Sequence, residues 1–347
     1  MKKTVFVGLS GGVDSTVSAA LLKRQGYGVV GVYMKNWSRD LPGMPCPWKD
    51  DFTDAKRVAV QLGIDFKMYD FEKQYQQKVV DYMLDGFRAG ITPNPDIMCN
   101  QEIKFKLFLD IALEDGADYI ATGHYANTAG GRLLMAKDAN KDQTYFLYRV
   151  TKEALGKTIF PLGDLTKPKV RELAGEFGLV TAQKKESMGI CFVGKVGIKE
   201  FLEQYVQKRP GDIIDRSGKV IGRHDGAIFY TIGQRHGLDV GGGLPYYVTG
   251  KDMDKNEVYV TTDLQDEKLW SDKIRFGAAH WIGSPPPAEN LMVRTRHRAK
   301  LIPVKKLNKL SNFEYEAELK EEVRALTPGQ SAVFYTDTEC LGGGIVS

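Results

Sequence analysis

No apolar run in the 347-residue sequence approaches the roughly 18 residues that cross a bilayer as a helix. The apolar stretch behind Met1-Lys2-Lys3 ends at Leu9, too short for the core of a secretory signal. A cytoplasmic protein with no membrane partner is expected. Cysteine is scarce: Cys46, Cys99, Cys191 and Cys340 are widely separated, which excludes a disulfide-stapled secreted scaffold. None forms a C-x-x-C pair, and no histidine has metal-ligand spacing, so no resident metal site is expected. Charge of one sign is also missing, because 48 Lys and Arg against 44 Asp and Glu leave only +4. That balance neither demands nor excludes a nucleic acid, and local clusters must decide. Internal repeats and low-complexity tracts are absent.

What is present is alternation. Thr4–Gly8, Gly28–Met34, Asp65–Phe71 and Tyr119–Gly123 read as short buried strands. Between them, Val13–Arg24, Thr53–Leu62, Glu72–Phe87 and Ile103–Leu113 carry apolar residues at helical spacing. This rhythm predicts an α/β fold with a doubly wound parallel sheet. Near Lys208-Arg209-Pro210-Gly211 the pattern changes to short strands and turns, and a second break falls near residue 272. Three units are expected: residues 1–207, a small β-rich central domain over 208–272, and a C-terminal β-barrel over 273–347. The runs Gly241-Gly242-Gly243 and Gly342-Gly343-Gly344 read as turns.

The strongest motif is Ser10-Gly11-Gly12-Val13-Asp14-Ser15-Thr16, placed after the first strand and opening the first helix. A glycine turn there offers unpaired backbone N–H groups and the positive end of the helix dipole to an anion. The hydroxyls of Ser10, Ser15 and Thr16 add donors. No lysine follows the glycines, which excludes a Walker A loop. Asp14 beside phosphates would repel them without a cation, a hint of Mg²⁺ accompanying ATP. A second constellation is Thr92-Pro93-Asn94-Pro95-Asp96-Ile97-Met98-Cys99-Asn100, where Asp96 and Cys99 share one side of a helical turn. A neighbouring carboxylate raises a thiol pKa, so Asp96 suits proton transfer better than thiolate activation. Cys191 lies between glycines in Gly189-Ile190-Cys191-Phe192-Val193-Gly194. A lone cysteine is more often a small core residue than a catalyst, so spacing alone leaves both cysteines open. Met292–Lys306 holds six cations and no acid, which reads either as a phosphate-binding strand pair or as a solvated basic face.

The glycine loop resembles the PP-loop of ATP pyrophosphatases, which cleave ATP between the α and β phosphates. The resemblance narrows when further motifs are added in order: Met34-Lys35-Asn36-Trp37, Ala121-Thr122-Gly123-His124-Tyr125, Lys141-Asp142-Gln143-Thr144-Tyr145-Phe146-Leu147, Tyr230-Thr231-Ile232-Gly233-Gln234-Arg235 and Leu341-Gly342-Gly343-Gly344-Ile345. Together they are similar to the tRNA-specific 2-thiouridylase family over residues 4 to 346. The resemblance implies a Rossmann-like PP-loop domain and ATP-dependent thiolation of the wobble uridine of tRNAs for lysine, glutamate and glutamine. It implies that ATP is held by Gly8, Leu9, Ser10, Gly11, Gly12, Val13, Asp14 and Ser15, with Met34 at the adenine and Gly123 at the nucleotide. Cys99 would be the nucleophile and Cys191 the persulfide carrier, the two forming a transient disulfide. Asn94, Pro95 and Asp96 would meet the target base. His124, Lys141, Asp142, Gln143, Arg296, His297 and Gln330 would contact tRNA. A persulfide donor, either a cysteine desulfurase or a relay protein, would be a partner. Departures are small: Leu9, Thr144, Met188 and His297 replace residues common in the family, and residues 38–50 are unusually rich in proline and glycine. Two other readings stay open: a PP-loop amide or ammonia ligase, and a non-catalytic RNA-binding protein that senses ATP.

Overall fold

The computed structural model describes residues 2–40, 46–185, 197–241 and 243–347. In its first sheet, β1 (Thr4–Gly8), β2 (Gly28–Lys35), β3 (Asp65–Asp70) and β4 (Tyr119–Ala121) run parallel. Side chains alternate across this sheet. Val5 and Val7 pack with Ala19 and Leu22 on one face, and Phe6 packs with Phe108 and Ile120 on the other. Helices α1 (Val13–Arg24) and α2 (Trp48–Leu62) contribute to the first core, and the 72–88 and 95–114 helical stretches to the second. Coverage on both faces is why these strands read as almost continuous apolar runs. α2 starts five residues before the expected Thr53, directly behind Pro47, so the proline marks a helix start.

After β4 comes a hairpin, β5 (Asn127–Ala129) and β6 (Arg132–Leu134), which the sequence reading did not include. Gly130 and Gly131 both have positive φ, the geometry of a tight two-residue hairpin turn. β7 (Thr158–Ile159) completes the parallel sheet in the order β3-β2-β1-β4-β7. The central sheet has the order β10-β11-β8-β9, from β8 (Gly211–Ile214), β9 (Val220–His224), β10 (Tyr247–Asp252) and β11 (Glu257–Thr261). Ile213, Tyr230, Val248 and Val258 form its small core. Phe201 and Leu202, between the two sheets in sequence, belong instead to the first-domain core with Trp37.

The last domain is a six-stranded barrel. Its strands are β12 (Trp270–Trp281), β13 (Met292–Arg294), β14 (Ile302–Lys309), β15 (Tyr315–Arg324), β16 (Ser331–Thr336) and β17 (Glu339–Val346), and β12 pairs with β17 to close it. Gly342, Gly343 and Gly344 lie within β17, so the expected turn is corrected. A Cβ on Gly342 or Gly343 would run into backbone of β12 or β16, which explains glycine where the strand is squeezed at closure. β6 pairs with β17, so the hairpin of the first domain extends the barrel sheet. Tyr145 OH donates to the carbonyls of Thr295 (3.2 Å) and Ser331 (3.0 Å), joining the two domains from inside. No helix among the described residues is long and apolar enough to cross a membrane.

Candidate active site

Strand order places the first site. The chain moves outward from β1 to β3, then returns to β4 on the other side of β1. The crevice at the carboxyl ends of β1 and β4 is therefore a topological switch point, where open α/β sheets bind ligands. The Ser10–Asp14 loop and Gly123 both lie there. A Cβ on Gly123 would sit 2.7 Å from Ser15 N, so glycine is needed for this approach. Gly11 has φ +74 and lies against the Asp51 carbonyl of α2. No side chain caps α1 at Gly12, which leaves the donors of its first turn facing the crevice.

The hydroxyls behave differently from expectation. Ser15 Oγ accepts from Ser10 N at 3.1 Å and donates to the Gly12 carbonyl at 3.1 Å. Thr16 is buried and its Oγ1 donates to the same carbonyl at 2.8 Å. Thr16 thus braces the loop and is not a phosphate donor. Leu9 and Val13 also turn inward, to cores on either side of the loop. Met34 lies over Gly8, where a Cβ would come within 2.8 Å of its methyl group.

Asp14 already has a cation. Lys167 Nζ lies 2.7 Å and 2.9 Å from its two carboxylate oxygens, and Tyr125 OH donates to Oδ1 at 3.0 Å. The carboxylate that suggested Mg²⁺ accompanying ATP is thus held in an ion pair within the chain. Sequence reasoning missed Lys167. A signal existed, because Lys167 is the first residue of the Lys167–Glu176 helix. A cation there opposes the helix dipole unless an anion lies nearby.

The second group lies on residues 95–114. Asn94 caps this stretch, its Oδ1 accepting from Asp96 N at 3.2 Å, and Pro95 takes the first helical position. From Cys99 to Leu107 the helix is a π-helix, a rare form that is frequent at functional sites. Cys99 opens it and is buried. Burial pushes the Asp96 carboxyl above the usual carboxylate range, with the Lys104 charge opposing. Asn100 Nδ2 donates to the Phe146 carbonyl at 3.0 Å, and its buried Oδ1 has no partner among the described residues.

Asp96 lines a cavity of about 460 Å³ to which all three domains contribute. Thr92, Asn94 and Pro95 come from the first domain, Thr231 and Gln234 from the central one, and Gln330 from the barrel. Thr92 Oγ1 and Thr231 Oγ1 are 3.1 Å apart, and Gln330 Nε2 donates to the Thr92 carbonyl at 2.8 Å. Thr231 and Gln234 were not singled out from sequence as wall residues, since only the fold brings them to Asp96. A larger hollow of about 790 Å³, lined by Phe105, Arg149 and His280, includes neither Asp96 nor the glycine loop. Cys191 lies outside the described residues.

Known proteins separate the readings left open. The tRNA methyl transferase HUP domain family matches residues 3–195, the tRNA methyl transferase PRC-barrel domain family 199–262, and the aminomethyltransferase β-barrel domain family 271–346. The tRNA-specific 2-thiouridylase MnmA of Bacillus subtilis is 49% identical over 350 residues, covering 99% of this chain and 94% of its own. That of Idiomarina loihiensis is 47% identical over 356 residues, with 99% and 96% covered. The chain belongs to the tRNA-specific 2-thiouridylase family. Among solved structures, a 4-thiouridine synthetase–RNA complex with bound ATP aligns with 58% of this chain and 50% of its own, at 20% identity and a TM-score of 0.38.

In this 2-thiouridylase the residues expected to touch tRNA fall into two groups. Asp142 is enclosed, accepting from Ala136 N at 2.7 Å and Thr144 Oγ1 at 2.6 Å, with Arg294 at 3.8 Å. Its carboxylate therefore does not reach the surface. Gln143 Oε1 accepts from Tyr125 N at 2.9 Å. His124 is buried beside Thr122 Oγ1, 2.7 Å from Nδ1, and burial holds it well below the usual histidine pKa. Asp142 and His124 are thus enclosed, whereas Gln143 is only partly buried. Lys141, Arg296, His297 and Gln330 remain at least partly accessible. His297 packs on Phe146 with ring centroids 4.6 Å apart, and burial with Arg298 and Arg294 pushes it down to about 4.

Proposed function

We propose that this protein replaces O2 of the tRNA wobble uridine by sulfur at the expense of ATP, in tRNAs for lysine, glutamate and glutamine. One observation carries the reading: the helical stretch that bears Asp96 and Cys99 runs on to pack beside Gly8, the start of the glycine loop. Phe108 of the same stretch lies 3.8 Å from where a Cβ on Gly8 would be, while Asp96 opens on a cavity within the usual size range of ligand sites, roughly 300–1,000 Å³. Activation of an oxygen and attack by sulfur can therefore be served by neighbouring elements.

The chemistry explains the parts. Uracil O2 is a poor leaving group. It attacks the α phosphorus of ATP, and pyrophosphate leaves into the loop of Gly8 to Ser15, where the first-turn N–H groups of α1 meet its charge and Lys167 keeps the Asp14 carboxylate neutralised. Met34 and Gly123 bound the nucleotide. Mg²⁺ enters with the triphosphate. Asn94 and Pro95 position the base, and Asp96 carries the proton. The outer sulfur of a Cys191 persulfide then attacks C2 and AMP leaves. Cys99 thiolate attacks the Cys191 sulfur, expelling the C2-bound sulfur as 2-thiouridine and closing a Cys99–Cys191 disulfide. An external thiol supplies two electrons to reopen it, and a persulfide donor reloads Cys191. A reducing cytoplasm suits this cycle. We assign the chain to units 1–207, 208–272 and 273–347, the segment around Phe201 going with the first core.

The test uses purified protein, unmodified tRNA, Mg-ATP and sulfide with a reductant, scored on a mercury-retarding gel. Wild type should yield thiolated tRNA with sulfide or with a persulfide donor, and Cys99→Ser none with the persulfide donor, where a Cys191 adduct must be cleaved. Cys191→Ser should retain product with free sulfide and lose it with a persulfide donor. Pyrophosphate release without thiolated tRNA from wild type would refute the reading.

A further inference from the structure

Arg296 was expected to meet tRNA, yet one edge of its guanidinium is already engaged inside the protein. Nη2 donates to the Ala325 carbonyl (2.8 Å), Thr327 Oγ1 (3.0 Å) and the Ile232 carbonyl (3.1 Å). The first two acceptors belong to the barrel and the third to the central domain. The junction around them is tight. Gly233 has φ +83, and a Cβ there would come 2.5 Å from Ala325 Cβ. Ala325 itself holds φ +54, a conformation a non-glycine residue keeps only when its surroundings fix it. Thr327 Oγ1 also lies 2.9 Å from the Ala325 carbonyl and 3.4 Å from that of Ile232.

Ile232 and Gly233 are the middle of the Tyr230–Arg235 segment. Its two flanking residues, Thr231 and Gln234, face the cavity beside Asp96. Gly233 N donates to the Val248 carbonyl at 2.7 Å, and Thr231 N to Gln234 Oε1 at 3.0 Å, so the segment moves as a unit. Holding Ile232 to the barrel therefore holds the cavity wall. We propose that Arg296 is a positioning residue: its Nη2 edge locks the central domain to the barrel and fixes the wall that Thr231 and Gln234 present to the target base. The remainder of the side chain is exposed, so the same group can report RNA contact to that wall. The proposal rests on reading the cavity as the base site, but the lock itself exists without RNA.

Hydrogen exchange on the full-length, tRNA-free protein separates a lock from a simple phosphate contact. Arg296→Gln should speed exchange of the Thr231, Gly233 and Gln234 amides by about tenfold or more, through loss of the charge-assisted hydrogen bonds that Nη2 makes. Gly233→Ala should produce the same local loosening with Arg296 intact, which covers the case in which Arg296→Gln does not fold. Single-turnover thiolation should then fall more than tRNA affinity does. Arg296→Lys, which keeps the charge and loses the planar fork, should resemble Arg296→Gln in exchange. Unchanged exchange in both Arg296 variants would overturn the proposal. So would full rescue of exchange and turnover by Arg296→Lys, because a bare charge would then suffice. A wild type that does not thiolate tRNA would refute the proposed function and leave the exchange result to be judged alone.

Discussion

At Asp96 burial raises the carboxyl pKa, so its proton stays on to higher pH than on a surface aspartate. The sign of the linked stability follows. The unfolded chain releases this proton first, near the ordinary value of about 4, and the folded chain later. Between the two values the folded state binds more protons, so this residue makes stability fall as pH rises. Asp96→Asn removes that dependence and keeps the shape. Measured by urea midpoints, the variant should gain on wild type from pH 4 to pH 7. The same change removes the proton carrier, and thiolation should drop by about 10²–10⁴-fold, the range for general acid–base groups. A variant that loses stability relative to wild type over that pH span would contradict the burial argument. The spacing of Asp96 and Cys99 was readable from sequence because three residues on a helix is a short, rigid relation. Lys167 was not, since its partner Asp14 is 153 residues away and only the packing of the Lys167–Glu176 helix against α1 brings them together.

Strand β1, its glycine loop and α1 were legible because each local preference agrees: a five-residue apolar run, a glycine with positive φ, then helical periodicity. The β5–β6 hairpin was hidden because each strand has three residues, too few for alternation to show. The glycine run in β17 misled for another reason. Glycine signals a turn locally, but here it answers backbone pressure from β12 and β16, which is non-local. Met292–Lys306 read either as a phosphate-binding strand pair or as a solvated basic face, and only the fold shows Glu318 of β15 paired across from Lys306. The glycine constraint is sharpest after β4. A methyl group on Gly123 would meet backbone atoms of Ser15 and Asp14 at 2.7 Å and 2.9 Å, and neither can rotate away. Gly123→Ala should therefore push β4 from the first turn of α1 and cost about 1–3 kcal/mol of stability, as overpacking does. ATP–pyrophosphate exchange should fall more steeply than the melting temperature, because the donors displaced are those facing the phosphates. A Gly123→Ala protein with unchanged ATP affinity would place the nucleotide elsewhere.

For the whole molecule, the question is where an anionic RNA can rest on a chain of net charge +4. The cation-rich stretch Met292–Lys306 suggested one strip, but the fold spends most of it internally. Arg294 is buried beside Asp142 and over the Tyr335 ring. Arg296 has one edge against backbone carbonyls. Lys300 pairs with Glu321 at 2.7 Å, and Lys305 approaches Glu318 at 4.0 Å. Exposed pairs of this kind add little stability, about 0–1 kcal/mol, so their main effect is to cancel charge. Arg298, exposed and at φ +62, and Lys306, also exposed, are the cations this stretch offers to a phosphate. Removing both members of a pair tests the difference cleanly, since the net charge is kept. Each phosphate contact adds about 0.7–0.9 to the slope of log affinity against log salt. The double variant Lys300→Ala/Glu321→Ala should leave the slope for tRNA unchanged, whereas Arg298→Ala should lower it by about one contact. A fall of that size in the double variant would mean that Lys300 leaves Glu321 to bind RNA. The barrel would then present its basic strand directly to the substrate, and the cancellation argued here would hold only for the free protein.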